Sequence, residues 1–178
     1  SVSLTMSGTK ALTGREPATG DLFTVELYEG DNLLDSEQVA PGGSFAFTRY
    51  YTMADAGESF TYTVKELAGS LPGIDYDDAE YTFTVNVNLV GDELVVTSGT
   101  TGYTVGGSDG VFTLSGLNFT NDYAADPVSL TFSGTKELTG RALEPGEFTF
   151  ELTGTDPAVT RTAANDGSGY FSFEPIEY

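Results

Sequence analysis

Ser7-Gly-Thr-Lys-Ala-Leu-Thr-Gly-Arg15 returns almost unchanged as Ser133-Gly-Thr-Lys-Glu-Leu-Thr-Gly-Arg141. The match extends upstream, with Val2-Ser-Leu-Thr5 against Val128-Ser-Leu-Thr131. A repeat of this length defines a structural unit before any single residue defines a function. The lysine inside it is the residue to explain, because Lys10 and Lys136 are two of only three lysines in the chain. Downstream, Phe45-Ala-Phe47 answers to Phe171-Ser-Phe173. Between the copies, Ala124-Ala-Asp-Pro127 is a polar linker with a proline. It divides the chain into residues 1–125, a complete repeat, and 126–178, the N-terminal part of a second. The second copy stops less than halfway through, so the sequence reads as a piece of something longer. Residues 126–178 are expected to be completed by the same polypeptide or by a strand-donating partner.

Working outward from the repeat, period-two alternation dominates. Leu4, Met6, Gly8, Lys10 and Leu12 share one face. Phe23, Val25 and Leu27 form a second stripe, and Phe45 with Phe47 a third. Phe60, Tyr62, Val64 and Glu66 make a fourth strand. Tyr81, Phe83, Val85, Val87 and Leu89 make the longest and cleanest one. Leu94 and Val96 follow Gly91-Asp92 in a hairpin. Phe112 with Leu114, and then Leu117, Phe119, Asn121 and Tyr123, complete the unit. β-branched and aromatic residues fill these runs, while Gly, Asp and Pro separate them. No helical period appears, and Met53–Gly57 is at most a turn. The expected fold is all-β, an immunoglobulin-like β-sandwich in tandem repeat.

The chain has 178 residues, a formal net charge of -20, and no Cys, His or Trp. Its hydrophobic content of 39% is ordinary, so a core can form despite the charge. The acidic surface argues against nucleic acid and against anionic membranes as partners. No apolar run is long enough to span a bilayer. The missing cysteines do not fix the compartment, and an extracellular protein without disulfides must find its stability elsewhere.

Three polar residues fall on apolar faces. Lys10 follows Leu4 and Met6, Glu66 follows Tyr62 and Val64, and Asn121 follows Leu117 and Phe119. Their neighbours Thr9, Lys65 and Thr120 point the other way. An amine, a carboxyl and a carboxamide are thus aimed inward from the first, a middle and the last strand. Burying any one of them alone is costly. Burial lowers a lysine pKa and so populates the nucleophilic amine. It raises a glutamate pKa, which lets the carboxyl hold a proton, polarise the carboxamide and assist the departing ammonia. The product would be an amide between Lys10 Nζ and Asn121 Cγ. Two other readings stay open on parity alone. Lys10 and Glu66 can be an unreacted buried ion pair with Asn121 capping a turn, or Asn118 can replace Asn121, although it faces away from Leu117 and Phe119.

The set Gly-Thr-Lys-Ala-Leu-Thr-Gly-Arg15, Tyr62-Thr-Val-Lys-Glu66, Tyr81-Thr-Phe-Thr-Val-Asn-Val87 and Phe119-Thr-Asn-Asp-Tyr123 resembles the Gram-positive pilin isopeptide-linkage domain. That family is related to the B-type repeats of collagen-binding adhesins. The resemblance covers all of the first unit and the start of the second. It implies that Lys10 bonds to Asn121 and that Glu66 promotes the reaction. Lys136 matches the lysine of the second repeat, and its partners are absent from this chain. Sortase-type signals, a Tyr-Pro-Lys motif and a Leu-Pro-x-Thr-Gly tail, are also absent, so pilin and adhesin stalk both remain open. The implied function is a structural stalk or shaft repeat of an extracellular, cell-wall-anchored bacterial surface protein. The resemblance further implies no enzymatic turnover beyond the self-formed link and no cofactor or metal, with neighbouring repeats of the same polypeptide, a host surface ligand or a strand donor for 126–178 as the expected partners.

The alternative is an adhesin module that binds a host glycan or matrix protein through an exposed loop around Gly99–Gly110. Tyr50 and Tyr51 would suit sugar stacking, or simply strand-edge packing. Asp75-Tyr-Asp-Asp78 has carboxylates at a spacing that could suit calcium, but it matches no EF-hand loop and reads more simply as a solvated loop. Arg15 and Arg141 recur after the lysine motif and are expected to pair with acidic groups. Nothing provides the cleft or the paired acid and base of a hydrolase.

Overall fold

A computed structural model describes all residues, 1–178, and divides them into two compact units, Ser1–Ala125 and Asp126–Tyr178. The chain is all-β. Unit 1 contains β1 (Val2–Thr13), β2 (Phe23–Glu29), β3 (Asn32–Val39), β4 (Ser44–Tyr51), β5 (Ser59–Leu67), β6 (Ile74–Asp75), β7 (Glu80–Val90), β8 (Glu93–Ser98), β9 (Val105–Ser108), β10 (Val111–Leu114) and β11 (Phe119–Tyr123). Its only helical turn is a short 3-10 segment, Met53–Asp55, capped by Thr52.

One sheet joins β3, β2, β5, β7 and β8, all antiparallel. The other is built around β1. On one edge β4 runs antiparallel, from Val2↔Tyr51 to Thr9↔Ser44. Along the opposite edge β10 and then β11 run parallel to it, with Ser3↔Val111 to Met6↔Leu114 and Lys10↔Phe119 to Thr13↔Asp122. The break between β10 and β11 stays tied to β1. Leu117 N–H donates to the Ser7 carbonyl, and Asn118 Oδ1 accepts from both the backbone N–H and the hydroxyl of Thr9. The crossing is so close that a Cβ on Gly8 would lie 1.8 Å from the Leu117 carbonyl oxygen and 2.7 Å from the Phe45 ring. Only glycine fits there.

The inward stripes of both sheets form one core that includes Leu4, Met6, Val25, Leu27, Phe47, Tyr62, Val64, Phe83, Val85, Val87, Leu114 and Phe119. This is the sandwich logic of alternating strands that pack their apolar faces together. At one end, the Tyr51 and Tyr62 hydroxyls share a buried 2.9 Å hydrogen bond. Tyr51 is therefore a core residue rather than part of a surface aromatic patch, whereas Tyr50 is exposed.

The structure adds three strands that alternation does not predict. β3 is an edge strand, polar along most of its length, and burial gives it no stripe to read. β6 has two residues and β9 is glycine-rich. Within the stretch expected as an exposed loop, Gly99–Gly110, Val105–Ser108 forms an edge strand paired with β10, and the stretch stays largely exposed.

Unit 2 contains β12 (Ser129–Leu130), β13 (Ser133–Thr135), β14 (Thr149–Thr155), β15 (Ala158–Ala164), β16 (Tyr170–Ser172) and β17 (Ile176–Glu177). They pair as β12–β17, β13–β16 and the hairpin β14–β15. The register Gly134↔Phe171 places the same residue types opposite each other as Gly8↔Phe45 in unit 1.

Candidate cross-link site

The site lies where the ends of β1, β5 and β11 meet inside unit 1. Lys10 is held by its backbone on both edges. Its N–H donates to the Gly43 carbonyl, and its carbonyl accepts from Gly42 N–H. On the other edge its register partner is Phe119. With the backbone clamped, parity sends the side chain inward, where it is 1% exposed and its amine sits 4.7 Å over the Phe23 ring. Glu66 arrives from the opposite sheet, paired with Val25 near the end of β5. Asn121 sits on β11 opposite Leu12 and is wholly buried.

The three side chains converge on one carboxyl group. Lys10 Nζ lies 2.8 Å from Glu66 Oε2, and Asn121 Nδ2 donates to Glu66 Oε1 at 2.6 Å. The Lys10–Glu66 contact is a buried ion pair, and neither atom has another hydrogen-bond partner. Burial pushes the lysine amine below its ordinary value, against the opposing pull of the Glu66 and Asp77 carboxylates. The amine is therefore desolvated and shares the Glu66 carboxyl with the Asn121 carboxamide nitrogen. A carboxyl that touches both an amine and a carboxamide nitrogen is placed to pass protons between them during nucleophilic attack.

Sequence reasoning missed one member of the site. Asp77, inside the acidic run, donates its backbone N–H to Asn121 Oδ1 at 2.8 Å. Its carboxylate accepts from Thr120 N–H at 2.7 Å and from Ala79 N–H at 2.9 Å. Spacing gives no sign of this, because the contact joins a loop to a strand more than forty residues away in sequence. The carboxylate of Asp77 is thus occupied by backbone amides. Asn118, the rival acceptor, is exposed and bonded to Thr9.

Lys136 has a different setting. It is half-buried, its amine lies 5.0 Å over the Phe148 ring, and no carboxylate stands within ion-pair distance. The recurring arginines both brace the turn that follows the lysine motif. Arg15 forms a forked pair with Asp21 at 2.6 and 2.9 Å, and Arg141 pairs with Glu147. The Arg15 guanidinium and the Ala18 N–H hold the Asp21 carboxyl down to about 2.

A cysteine-free β-sandwich with an amine, a carboxyl and a carboxamide gathered in its core has the makings of a self-cross-linking structural domain. Residues 6–124 match the family described as Spy0128-like isopeptide containing domain, FctA. The chain belongs to that family, a family of structural pilin-type domains and not of catalysts. No curated protein matches the chain. Among solved structures, the major pilin of Streptococcus pyogenes is similar at 18% identity with a TM-score of 0.44, covering 99% of this chain and 75% of that one. The T-13 major pilin of Streptococcus pyogenes serotype GAS131465 is similar at 15% identity with a TM-score of 0.41, covering 100% and 73%.

Proposed function

We propose that the chain is a load-bearing stalk segment of a bacterial surface pilus or adhesin, and that its first unit is closed by an amide between Lys10 Nζ and Asn121 Cγ. The observation that carries this reading is the single Glu66 carboxyl in contact with both the amine and the carboxamide nitrogen. A proton moves from the Lys10 ammonium to Glu66, leaving a neutral amine. The amine attacks Asn121 Cγ, and the Nζ–Cγ bond forms. The attacking nitrogen gives up a proton through Glu66, which delivers one to Nδ2. The Cγ–Nδ2 bond breaks, and ammonia leaves. Folding supplies the proximity that makes this fast, and each molecule turns over once.

The mechanical consequence follows from the parallel pairing of β1 and β11. A pull on the two ends of unit 1 enters β1 at its start and leaves β11 at its end, which loads the pair in shear. A Lys10–Asn121 amide carries that load directly and shields the residues between. The bond also closes a loop of about 100 residues, worth on the order of 4–5 kcal/mol in chain entropy by analogy with a disulfide. Reductants do not break it. The parent protein is extracellular and wall-anchored in this reading, and neighbouring repeats of the same polypeptide are its partners.

Single-molecule stretching of unit 1 between its termini tests the load path. The expected trace shows no unfolding step for the segment between Lys10 and Asn121. A step releasing roughly 400 Å of chain, at ~3.6 Å per residue, would contradict it.

A further inference from the structure

We infer that the backbone N–H of Asp77 is the oxyanion donor for this cross-linking reaction and that it fixes which way the Asn121 carboxamide faces. The inference rests on the proposed Lys10–Asn121 chemistry and adds a catalytic group to it. A backbone N–H can only donate, so the carboxamide atom facing it must be Oδ1. The nitrogen is then turned toward Glu66 Oε1, where the structure has it. The leaving group therefore sits on the group that can protonate it, and the carbonyl oxygen on a donor that strengthens as negative charge develops there. A flipped carboxamide would set its NH2 against the Asp77 N–H, donor facing donor, and would leave the leaving nitrogen with no group able to protonate it.

The donor is held in place from both sides. The Asp77 carboxylate accepts from Thr120 N–H, the residue just before Asn121, and from Ala79 N–H in its own loop. Loop and strand thus exchange two hydrogen bonds, Asp77 N–H to Asn121 Oδ1 and Thr120 N–H to Asp77 Oδ2. The site is buried at Asn121, so water is not available as a substitute donor. When the amine attacks, Cγ becomes tetrahedral and the charge gathers on Oδ1. When the Cγ–Nδ2 bond breaks, the carbonyl re-forms on the same N–H, and the new amide keeps its oxygen there.

The test follows ammonia loss by intact mass during refolding from denaturant. Asp77→Pro removes the N–H, and Asp77→Asn keeps it together with a side-chain acceptor. Asp77→Pro should slow the reaction about 100-fold, the usual effect of losing one such donor, with circular dichroism unchanged. Asp77→Asn should react within about tenfold of the parent. A folded Asp77→Pro chain reacting at the parent rate overturns the inference. Where Asp77→Pro does not fold, the parent protein decides by NMR. A through-hydrogen-bond coupling between the Asp77 amide nitrogen and Asn121 Cγ is expected, and its absence overturns the inference. A parent chain that never loses ammonia instead removes the cross-link itself, a distinguishable failure.

Discussion

Val2-Ser-Leu-Thr5 and Val128-Ser-Leu-Thr131 are identical, yet they are built differently. In unit 1 the segment opens an unbroken twelve-residue strand, and Leu4 and Met6 are completely buried. In unit 2 the corresponding stretch splits into two strands of two and three residues, with Leu130 and Phe132 exposed by 47% and 41%. The difference lies in what covers the strand. β1 is paired on both edges, by β4 and by β10 and β11, and the second sheet packs over its apolar face. β13 pairs with β16 alone. Strand propensity is fulfilled by burial and by cross-strand neighbours, not by the residues alone.

The lysines teach the same lesson. Lys10 and Lys136 share a motif, and each places its amine over a phenylalanine ring. Only Lys10 meets a carboxyl that also holds a carboxamide, because those two groups come from β5 and β11. A buried asparagine is not sufficient either. Asn165 in unit 2 is buried, but its carboxamide is occupied by the Phe148 N–H and by the Glu144 and Asp166 carbonyls.

Breaking the triad should have the largest effect on this contrast. Glu66→Ala removes the group that connects amine and carboxamide, so the cross-link does not form and a lone amine stays in the core. Lys10→Ala also abolishes the link. Each should cost about 4–5 kcal/mol, roughly 15–20 °C in the melting temperature of unit 1. Lys136→Ala should leave both the mass shift and that melting transition unchanged. Calorimetry with mass spectrometry on the three variants measures this, and cross-link formation without Glu66 would refute the role given to it.

A smaller effect sharpens the comparison at the glycines. A Cβ at Gly8 strikes the Leu117 backbone, while at Gly134 the nearest atoms belong to the Phe171 ring alone. Gly8→Ala should cost about 1–3 kcal/mol and slow bond formation, because it displaces the strand two residues from Lys10. Gly134→Ala should cost clearly less. Equal losses in thermal unfolding would show that the Leu117 crossing matters little.

Much of this was legible in the sequence. Parity placed Lys10, Glu66 and Asn121 inward because each lies on a strand with a clean apolar stripe. The Gly91-Asp92 hairpin was readable because clean strands flank it. Gly30-Asp31 forms the same kind of two-residue connection, with Gly30 at φ 57°, but it leads into the polar strand β3, and no stripe announced it. Tyr51 shares the inward parity of Phe45 and Phe47, but Arg49 interrupts that stripe, and the Tyr62 hydroxyl that satisfies Tyr51 lies in the facing sheet. Asp77 was hidden for a related reason. Its part in the site is played by a backbone amide, which carries no residue identity.

The most direct measurement is the intact mass of the purified chain under denaturing conditions. A mass short by one ammonia, with peptide mapping that joins Lys10 to Asn121, is the predicted result. An unshifted mass, or a link through Lys136 or Asn118, would contradict the account.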